Sequence, residues 1–280
     1  MTKRRRLPTL GAILATLVAA WAAAAVLLPI GWLVLTSFKQ PLDIAAQHPV
    51  FLFAPTLDNY RAVLTPGKFS IVSAMANSLL VSTVSTVAVV VFAAMAAYGL
   101  TRLRPPGHGV LGLLIFSIRM LPPVALVLPL FIFASRIGML DTRLSLILPY
   151  VALSLPLGTW MLQGFFLDLP RELEEAAAID GASQMEAFLR VILPLVTPGL
   201  GAVAIFSFSL AWNDLVLALP LTSERAITLP VVASRVRTDE GMLWGQLGAI
   251  TTIIMLPMLA FTCLAQRWLV RGLTAGATKS

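Results

Sequence analysis

Residues 71–100 read IVSAMANSLLVSTVSTVAVVVFAAMAAYGL, a stretch without one acidic or basic side chain. As a helix it is long enough to cross the hydrocarbon core of a bilayer, about 30 Å thick, for which roughly twenty apolar residues suffice. Comparable runs recur at about residues 10–35, 110–134, 144–166, 195–220 and 247–270. The chain of 280 residues is 58% hydrophobic and 12% charged, about half the charge of an average globular domain. Soluble α/β enzymes are apolar too, so the grouping of apolar residues into bilayer-length runs decides the class. In lipid every backbone N–H and C=O must be satisfied within the protein, and the runs are therefore read as helices. The alternating pattern of a membrane barrel is absent. The sequence predicts an all-α membrane protein, a single transmembrane domain over 1–280 with six transmembrane helices.

The first run follows the basic cluster Lys3-Arg4-Arg5-Arg6 and carries small residues near Ala22–Ala25, as a secretory signal does. A signal's apolar region is only about 7–15 residues, so this longer run is read as a retained first span. The net charge of +7 comes from basic residues scattered among loop ends. A nucleic-acid site gathers them on one face with interleaved aromatics, so no nucleic-acid partner is expected. With the N-terminus inside, the inner segments hold Lys3, Arg4, Arg5, Arg6, Arg102, Arg104, Arg171, Arg190, Arg267, Arg271 and Lys279, and the outer segments hold Lys39, Arg61, Lys68, Arg136, Arg143, Arg225, Arg235 and Arg237. That excess, together with the compact loop from Arg102 to His108, predicts both termini on the cytoplasmic side. Cys263, the one cysteine, forms no internal disulfide and reads as a small buried hydrophobe.

Prolines at Pro29, Pro122, Pro123, Pro129, Pro149, Pro156 and Pro257 interrupt the spans. Membrane helices tolerate them where neighbours or water meet the freed carbonyls, which fits an internal path and ordinary kinked packing alike. Ser78, Ser82 and Ser85 share one face of the second span and predict close helix packing.

Between the fourth and fifth spans, residues 167–194 carry six of the thirteen acidic residues: Asp168, Glu172, Glu174, Glu175, Asp180 and Glu186. Acids contribute little to membrane orientation, so another role must account for them. Pro170 through Ile179 reads as a short helix, with proline at its start, acids in the first turn and then alanines. Asp180-Gly181 stops it, and a second helix from about Ser183 puts Met185, Phe188, Leu189 and Ile192 on one apolar side. The prediction is a cytoplasmic helix-turn-helix with a small-residue face at Ala176 and Ala177. An amphipathic helix resting on lipid headgroups prefers basic residues on its polar face, which these are not.

Glu175-Ala176-Ala177, three residues, Gly181, nine residues, Val191, one residue and Leu193-Pro194 resembles the coupling-loop signature of bacterial binding-protein-dependent transport permeases, with Val191 where isoleucine is usual. The resemblance implies that this loop docks into a cleft on an ATP-binding subunit, helix in groove. The contact residues it implies are Glu174, Glu175, Ala176, Ala177, Asp180, Gly181, Leu193 and Pro194. Leu57-Asp58-Asn59-Tyr60, Trp212-Asn213-Asp214, Thr228-Leu229-Pro230 and the tail Leu269 to Ala277 resemble the carbohydrate branch, the maltose-type second permease. The function so implied is the permease subunit of an ATP-binding-cassette importer in the bacterial inner membrane, moving a carbohydrate by alternating access. Its implied partners are a second homologous permease, two ATP-binding subunits, an external solute-binding protein and the lipid bilayer.

No energy source is encoded in the residues themselves. The segment Gly276-Ala277-Thr278-Lys279-Ser280 lacks the glycine a phosphate loop needs before its lysine, so no cofactor is expected on this chain, and ATP and Mg are expected on a partner. His48 and His108 lie in loops and no nucleophile-plus-base pair is evident, so no enzymatic activity is expected. An ion-coupled secondary transporter is the competing class, as is a non-sugar importer. Ion coupling usually leaves ionisable residues within spans, and only Arg119 and Asp214 qualify. Arg119 reads either as lining a substrate path or as a structural pair or bilayer-edge residue. Trp212, Asn213 and Asp214 read either as an indole beside polar groups suited to a sugar or as an interfacial anchor.

Overall fold

The computed structural model describes residues 10–65, 70–238 and 241–277. Lys3–Arg6, Lys68 and Thr278–Ser280, used above for orientation and for the phosphate-loop comparison, lie outside the described residues, as do the side chains of Arg237, Arg267 and Arg271. The helices are α1 (Leu10–Ser37), α2 (Pro41–Ile44), α3 (Asp58–Leu64), α4 (Ile71–Tyr98), α5 (His108–Ser117), α6 (Pro123–Arg136), α7 (Leu144–Leu167) and α8 (Glu172–Ile179). They continue as α9 (Gln184–Glu186), α10 (Leu193–Leu195), α11 (Thr197–Asn213), α12 (Ala218–Leu221), α13 (Leu229–Ser234) and α14 (Trp244–Ala277). Two short strands, β1 (Arg237–Thr238) and β2 (Gly241–Met242), pair antiparallel with Arg237 opposite Met242.

Four stretches, Leu14–Ser37, Ile71–Leu103, Leu144–Leu167 and Trp244–Leu264, are continuous helices long and apolar enough to cross a membrane. Two bent helix pairs are long and apolar enough when taken together, which gives up to six crossings if each pair is one span. The run read as one span over 110–134 is a helix from His108, a 3₁₀ turn at Ile118–Met120 and α6, bent by 92°. Pro122 and Pro123 cause the break: a residue before proline is pushed out of the α region, and Leu121 and Pro122 are both extended. The run read as 195–220 bends by 76° before Thr197-Pro198, and α11 ends at Asn213 because Asp214 is extended. Pro29, Pro129, Pro149, Pro156 and Pro257 are accommodated inside their helices.

The chain divides into two compact units. One comprises Met1–Pro66 with Val236–Ile253. Within it α1 exposes Leu17, Val18, Trp21 and Leu28, the surface of a helix that faces lipid. Asn59 fastens the end of α1, its amide donating to the carbonyls of Ser37 (3.0 Å) and Lys39 (2.9 Å), and Ser37 Oγ meets the Tyr60 hydroxyl at 2.8 Å. The first turns of α14 pack there because Gly248 has no side chain: a Cβ would lie 2.8 Å from the Leu33 carbonyl. Lys39, counted above among loop cations, is buried over the Trp32 ring.

The other unit, Gly67–Arg235 with Ile254–Ser280, is built on α4, α7 and α11. A stripe of small and branched residues on α4, Ala74, Ser78, Val81, Ser82, Ser85, Val89, Ala93 and Ala97, is buried, while Val84, Val87, Val91 and Met95 on its other faces are exposed. Gly158 of α7 sits where the three helices meet; a Cβ there would approach Val203 at 3.0 Å, Ala93 at 3.2 Å and Val89 at 3.3 Å. Towards Tyr98 the core closes with Leu162, Phe166, Phe188, Ile192 and Val196. At the opposite end of α4, the Asn77 amide donates to the carbonyls of Arg225 (2.9 Å) and Ile227 (3.0 Å), Arg143 Nε donates to Asn77 Oδ1 at 2.9 Å, and the Leu229 N–H donates to Ser78 Oγ at 2.9 Å. Asp141, at φ 56°, accepts backbone N–H bonds from Ser223, Glu224, Arg225 and Ala226 at 2.9–3.2 Å. Burial raises the carboxyl's affinity for a proton, but those N–H groups outweigh it and hold the group well below the ordinary carboxylate range.

Two outcomes are expected. Gly158→Leu overpacks the three-helix crossing and lowers stability by about 1–3 kcal/mol, read as a lower unfolding temperature of the detergent-solubilised protein, whereas Gly164→Leu, where a Cβ meets open space, leaves it unchanged. A carboxylate depressed in the folded state stabilises fully above its unfolded pKa, about 4, and loses that contribution as pH falls below it. Hydrogen exchange of the 223–226 amides should accordingly be faster in Asp141→Asn than in wild type at pH 7, with the difference narrowing as pH drops below about 4.

Candidate coupling site

The segment 171–194 folds as two short helical pieces around a glycine turn. α8 begins with Glu172, Glu174 and Glu175 in its first turn, where the helix dipole favours acids. It ends in a Schellman arrangement: Gly181, at φ 82°, donates to the Ala178 carbonyl at 3.0 Å and Ala182 donates to Ala177 at 2.9 Å. That conformation needs a residue without Cβ strain, which is what Gly181 supplies. Ser183 and Glu186 then form a capping box, the Ser183 N–H donating to Glu186 Oε2 at 2.9 Å and the Glu186 N–H to Ser183 Oγ at 3.3 Å. From Ala187 to Ile192 the helix is π-helical before α10.

The wider π turn splits the expected apolar face. Phe188 and Ile192 are buried in the bundle core, while Met185 and Leu189 are exposed. The outward surface of the segment therefore carries Glu175, Ala176, Asp180 and Gly181 alongside Ile179, which is 87% exposed. Ala177 is buried, Glu174 and Leu193 are half-buried, and Pro194 is exposed. An apolar side chain of that exposure rimmed by carboxylates has the character of a contact surface.

Two contacts tie this surface to the bundle. Arg102, in the π turn Gly99–Leu103 that prolongs α4, has a side chain only 6% exposed; its Nη2 donates to the Leu169 carbonyl at 2.7 Å and its Nε lies 3.7 Å from Glu174 Oε1. Beside it, Tyr98, Phe166 and Phe188 form a ring cluster, with centroids 4.6 Å apart for Tyr98–Phe188 and 5.8 Å for Tyr98–Phe166. Tyr98, Arg102, Glu174 and Glu175 line a cavity of about 230 Å³ between the segment and the foot of α4. The sequence reading placed Arg102 only as an orientation signal. A short, compact loop with two arginines, Arg102 and Arg104, on the same expected side as an acidic segment was the available clue.

The substrate-path candidates fall in two places. Arg119 is exposed in the 3₁₀ turn ahead of the Pro122 break, with no ion-pair partner among the described residues. Trp212 is 1% exposed, its indole N–H donating to the Ile254 carbonyl at 3.2 Å and its ring stacked on Phe208 at 5.5 Å, so in this conformation it offers no free face. Asn213 is exposed and donates to the Ser209 carbonyl at 2.8 Å. Asp214 Oδ2 accepts from the Tyr150 hydroxyl at 2.9 Å and from the N–H groups of Leu217 and Ala218 at 3.0 and 3.1 Å, capping the turn into α12.

Residues 89–275 match the family described as the binding-protein-dependent transport system inner membrane component. The chain is 40% identical over 277 residues to the trehalose transport system permease protein SugB of Mycobacterium tuberculosis, covering 98% of each chain. It is 34% identical to the trehalose/maltose transport system permease protein MalG of Thermococcus litoralis, covering 99% of this chain and 97% of that protein. With the diacetylchitobiose uptake system permease protein DasC of Streptomyces coelicolor it shares 33% identity over 90% of its length and 91% of the relative's. Its fold is that of a chain from a bacterial ABC transporter that imports the acidic polysaccharide alginate, with TM-score 0.79 at 20% identity over 95% of this chain and 99% of that one. Family match and near full-length identity agree, and the chain belongs to the inner membrane components of binding-protein-dependent transport systems, a permease rather than an enzyme.

Proposed function

We propose that this permease moves a carbohydrate into the cytoplasm, as one half of a membrane pore completed by a second homologous permease. An external solute-binding protein delivers the cargo, and two separate ATP-binding subunits, carrying ATP and Mg, drive the cycle. The cargo class is supported by relatives whose names specify trehalose, trehalose/maltose and diacetylchitobiose. The excess of basic residues on the inner segments supports an orientation with both termini and segment 171–194 on the cytoplasmic side.

The observation that carries the coupling role is the segment's split character. Its outward face, Glu175, Ala176, Ile179, Asp180 and Gly181, is exposed, while its inward side is locked to α4 and α7 through Arg102, Tyr98, Phe166 and Phe188. A push on that face by an ATP-binding subunit moves the helix feet with it. Of the other contact candidates, Ala177 is buried, Glu174 and Leu193 are half-buried, and Pro194 is exposed. The exposed carboxylates of Glu175 and Asp180 suit a basic partner groove.

In the assembled importer, Gly181→Pro cannot adopt the positive φ of the turn and Glu175→Lys reverses the contact charge. Each should reduce binding-protein-stimulated ATP hydrolysis by at least about tenfold; unchanged stimulation in both variants would remove the segment from the coupling role. In proteoliposomes holding the complete importer, labelled sugar should accumulate with ATP and without ion gradients. Accumulation driven by gradients alone would instead make the chain part of a secondary transporter.

A further inference from the structure

Lys39 follows the end of α1 and is 2% exposed. Its Nζ lies 4.0 Å from the centroid of the Trp32 ring and 5.3 Å from that of Phe53. Among the described residues no carboxylate is within ion-pairing distance of the ammonium, and no hydrogen-bond acceptor meets it. The aromatic faces attract the charge but accept none of its three N–H bonds in the ordinary sense. A buried, incompletely solvated ammonium is costly unless another group supplies acceptors.

The side chain lines a cavity of about 420 Å³, within the range of about 300–1,000 Å³ typical of small-molecule sites. Its walls also include Trp32, Trp244, Asp43, Gln47 and His48. Trp32 already carries Lys39 on its ring, whereas Trp244 is 53% exposed and leaves an indole for stacking. Donors and acceptors are both present, which suits a ligand bearing many hydroxyls. Asp43 in the wall disfavours a carboxylate or phosphate, and Lys39 disfavours a purely apolar guest.

We infer that this cavity is a saccharide site on the permease itself, binding a neutral unit of one or two sugar rings. An indole packs against the apolar C–H face of a ring, Lys39 donates to a ring or hydroxyl oxygen, and Asp43, Gln47 and His48 bond the remaining hydroxyls. The inference rests on the carbohydrate reading of the cargo and adds a place on this chain where cargo is recognised without the binding protein.

The test uses the complete importer in nanodiscs without binding protein, titrated with labelled trehalose, maltose and diacetylchitobiose, with indole fluorescence as a second readout. At least one sugar should bind saturably. Lys39→Met should weaken it by about tenfold, the value of a hydrogen bond to a charged group, and Trp244→Leu by about tenfold through loss of the stacking face. Gln47→Leu, which changes an exposed wall residue, should weaken it as well and guards against a folding defect at the buried lysine. No saturable binding of any of the three sugars, or binding indifferent to all three substitutions, overturns the inference. So does a zero-length carbodiimide cross-link from Lys39 to an acidic residue of the binding protein, which would make the cavity a protein contact. Uptake is measured in parallel: sugar uptake without cavity binding leaves the cargo reading standing and removes only this site, and cavity binding without sugar uptake does the reverse.

Discussion

One desolvated guanidinium joins the acidic 171–194 segment to the feet of α4 and α7. Arg102 hangs from a π turn at the foot of α4, donates to the Leu169 carbonyl at the end of α7, and faces Glu174 in α8. Removing one partner of a buried ion pair costs about 3–5 kcal/mol, because the other charge is left stranded. Geometry tempers this contact: at 3.7 Å the Arg102 Nε and Glu174 Oε1 attract without hydrogen-bonding, and both atoms lack a hydrogen-bond partner among the described residues. An attraction of that kind holds position while permitting a small slide. A π turn, with its looser backbone bonding, is a fitting place for such an anchor.

The aromatic cluster does the complementary work. Tyr98, Phe166 and Phe188 come from α4, α7 and the helix-turn-helix respectively, and all three are buried. Edge-to-face and tilted rings resist separation through packing, which is close-packed and poorly compressible in a protein interior. The 171–194 segment is therefore packed against two helices at once. Above the cluster, the Gly158 crossing lets α4, α7 and α11 touch with little intervening side chain, so the three behave as one rod bundle.

Much of this was legible in the sequence, and the limits have physical causes. Bilayer-length apolar runs identified the membrane helices because lipid admits few alternatives. The glycine turn and capping box of 171–194 were legible because both depend on neighbours within a few residues. Breaks at Pro122 and before Thr197 were harder: a proline within a membrane helix is either absorbed, as at Pro149 and Pro156, or opens the chain by 92°, and local sequence does not distinguish them. Pairing two prolines at Pro122-Pro123 is the feature that tips the balance there. Arg102, Asp141 and Lys39 were missed as site residues since their partners lie far along the chain or, for Lys39, are aromatic faces. Trp212 reads from its neighbours Asn213 and Asp214 either as a sugar platform or as an interfacial anchor; its burial in this conformation, against Phe208 one turn away and Ile254 of α14, depends on contacts that local sequence does not reveal.

Each end of α4 is tied to a neighbouring segment. At one end stand Tyr98 and Arg102; at the other, Asn77 and Ser78 hold the 225–229 loop through its backbone, with Arg143 closing on Asn77. A helix of 28 residues without an internal proline transmits displacement along its axis instead of absorbing it. By contrast the broken pair α5 and α6 and the bend ahead of α11 offer hinges where backbone bonds are already interrupted. The unit thus contains one stiff, uninterrupted helix and two bent elements. Through Asn77, α4 meets the loop whose backbone N–H groups the Asp141 carboxylate holds. Bonds to backbone leave side chains along that loop free to vary without loosening the latch.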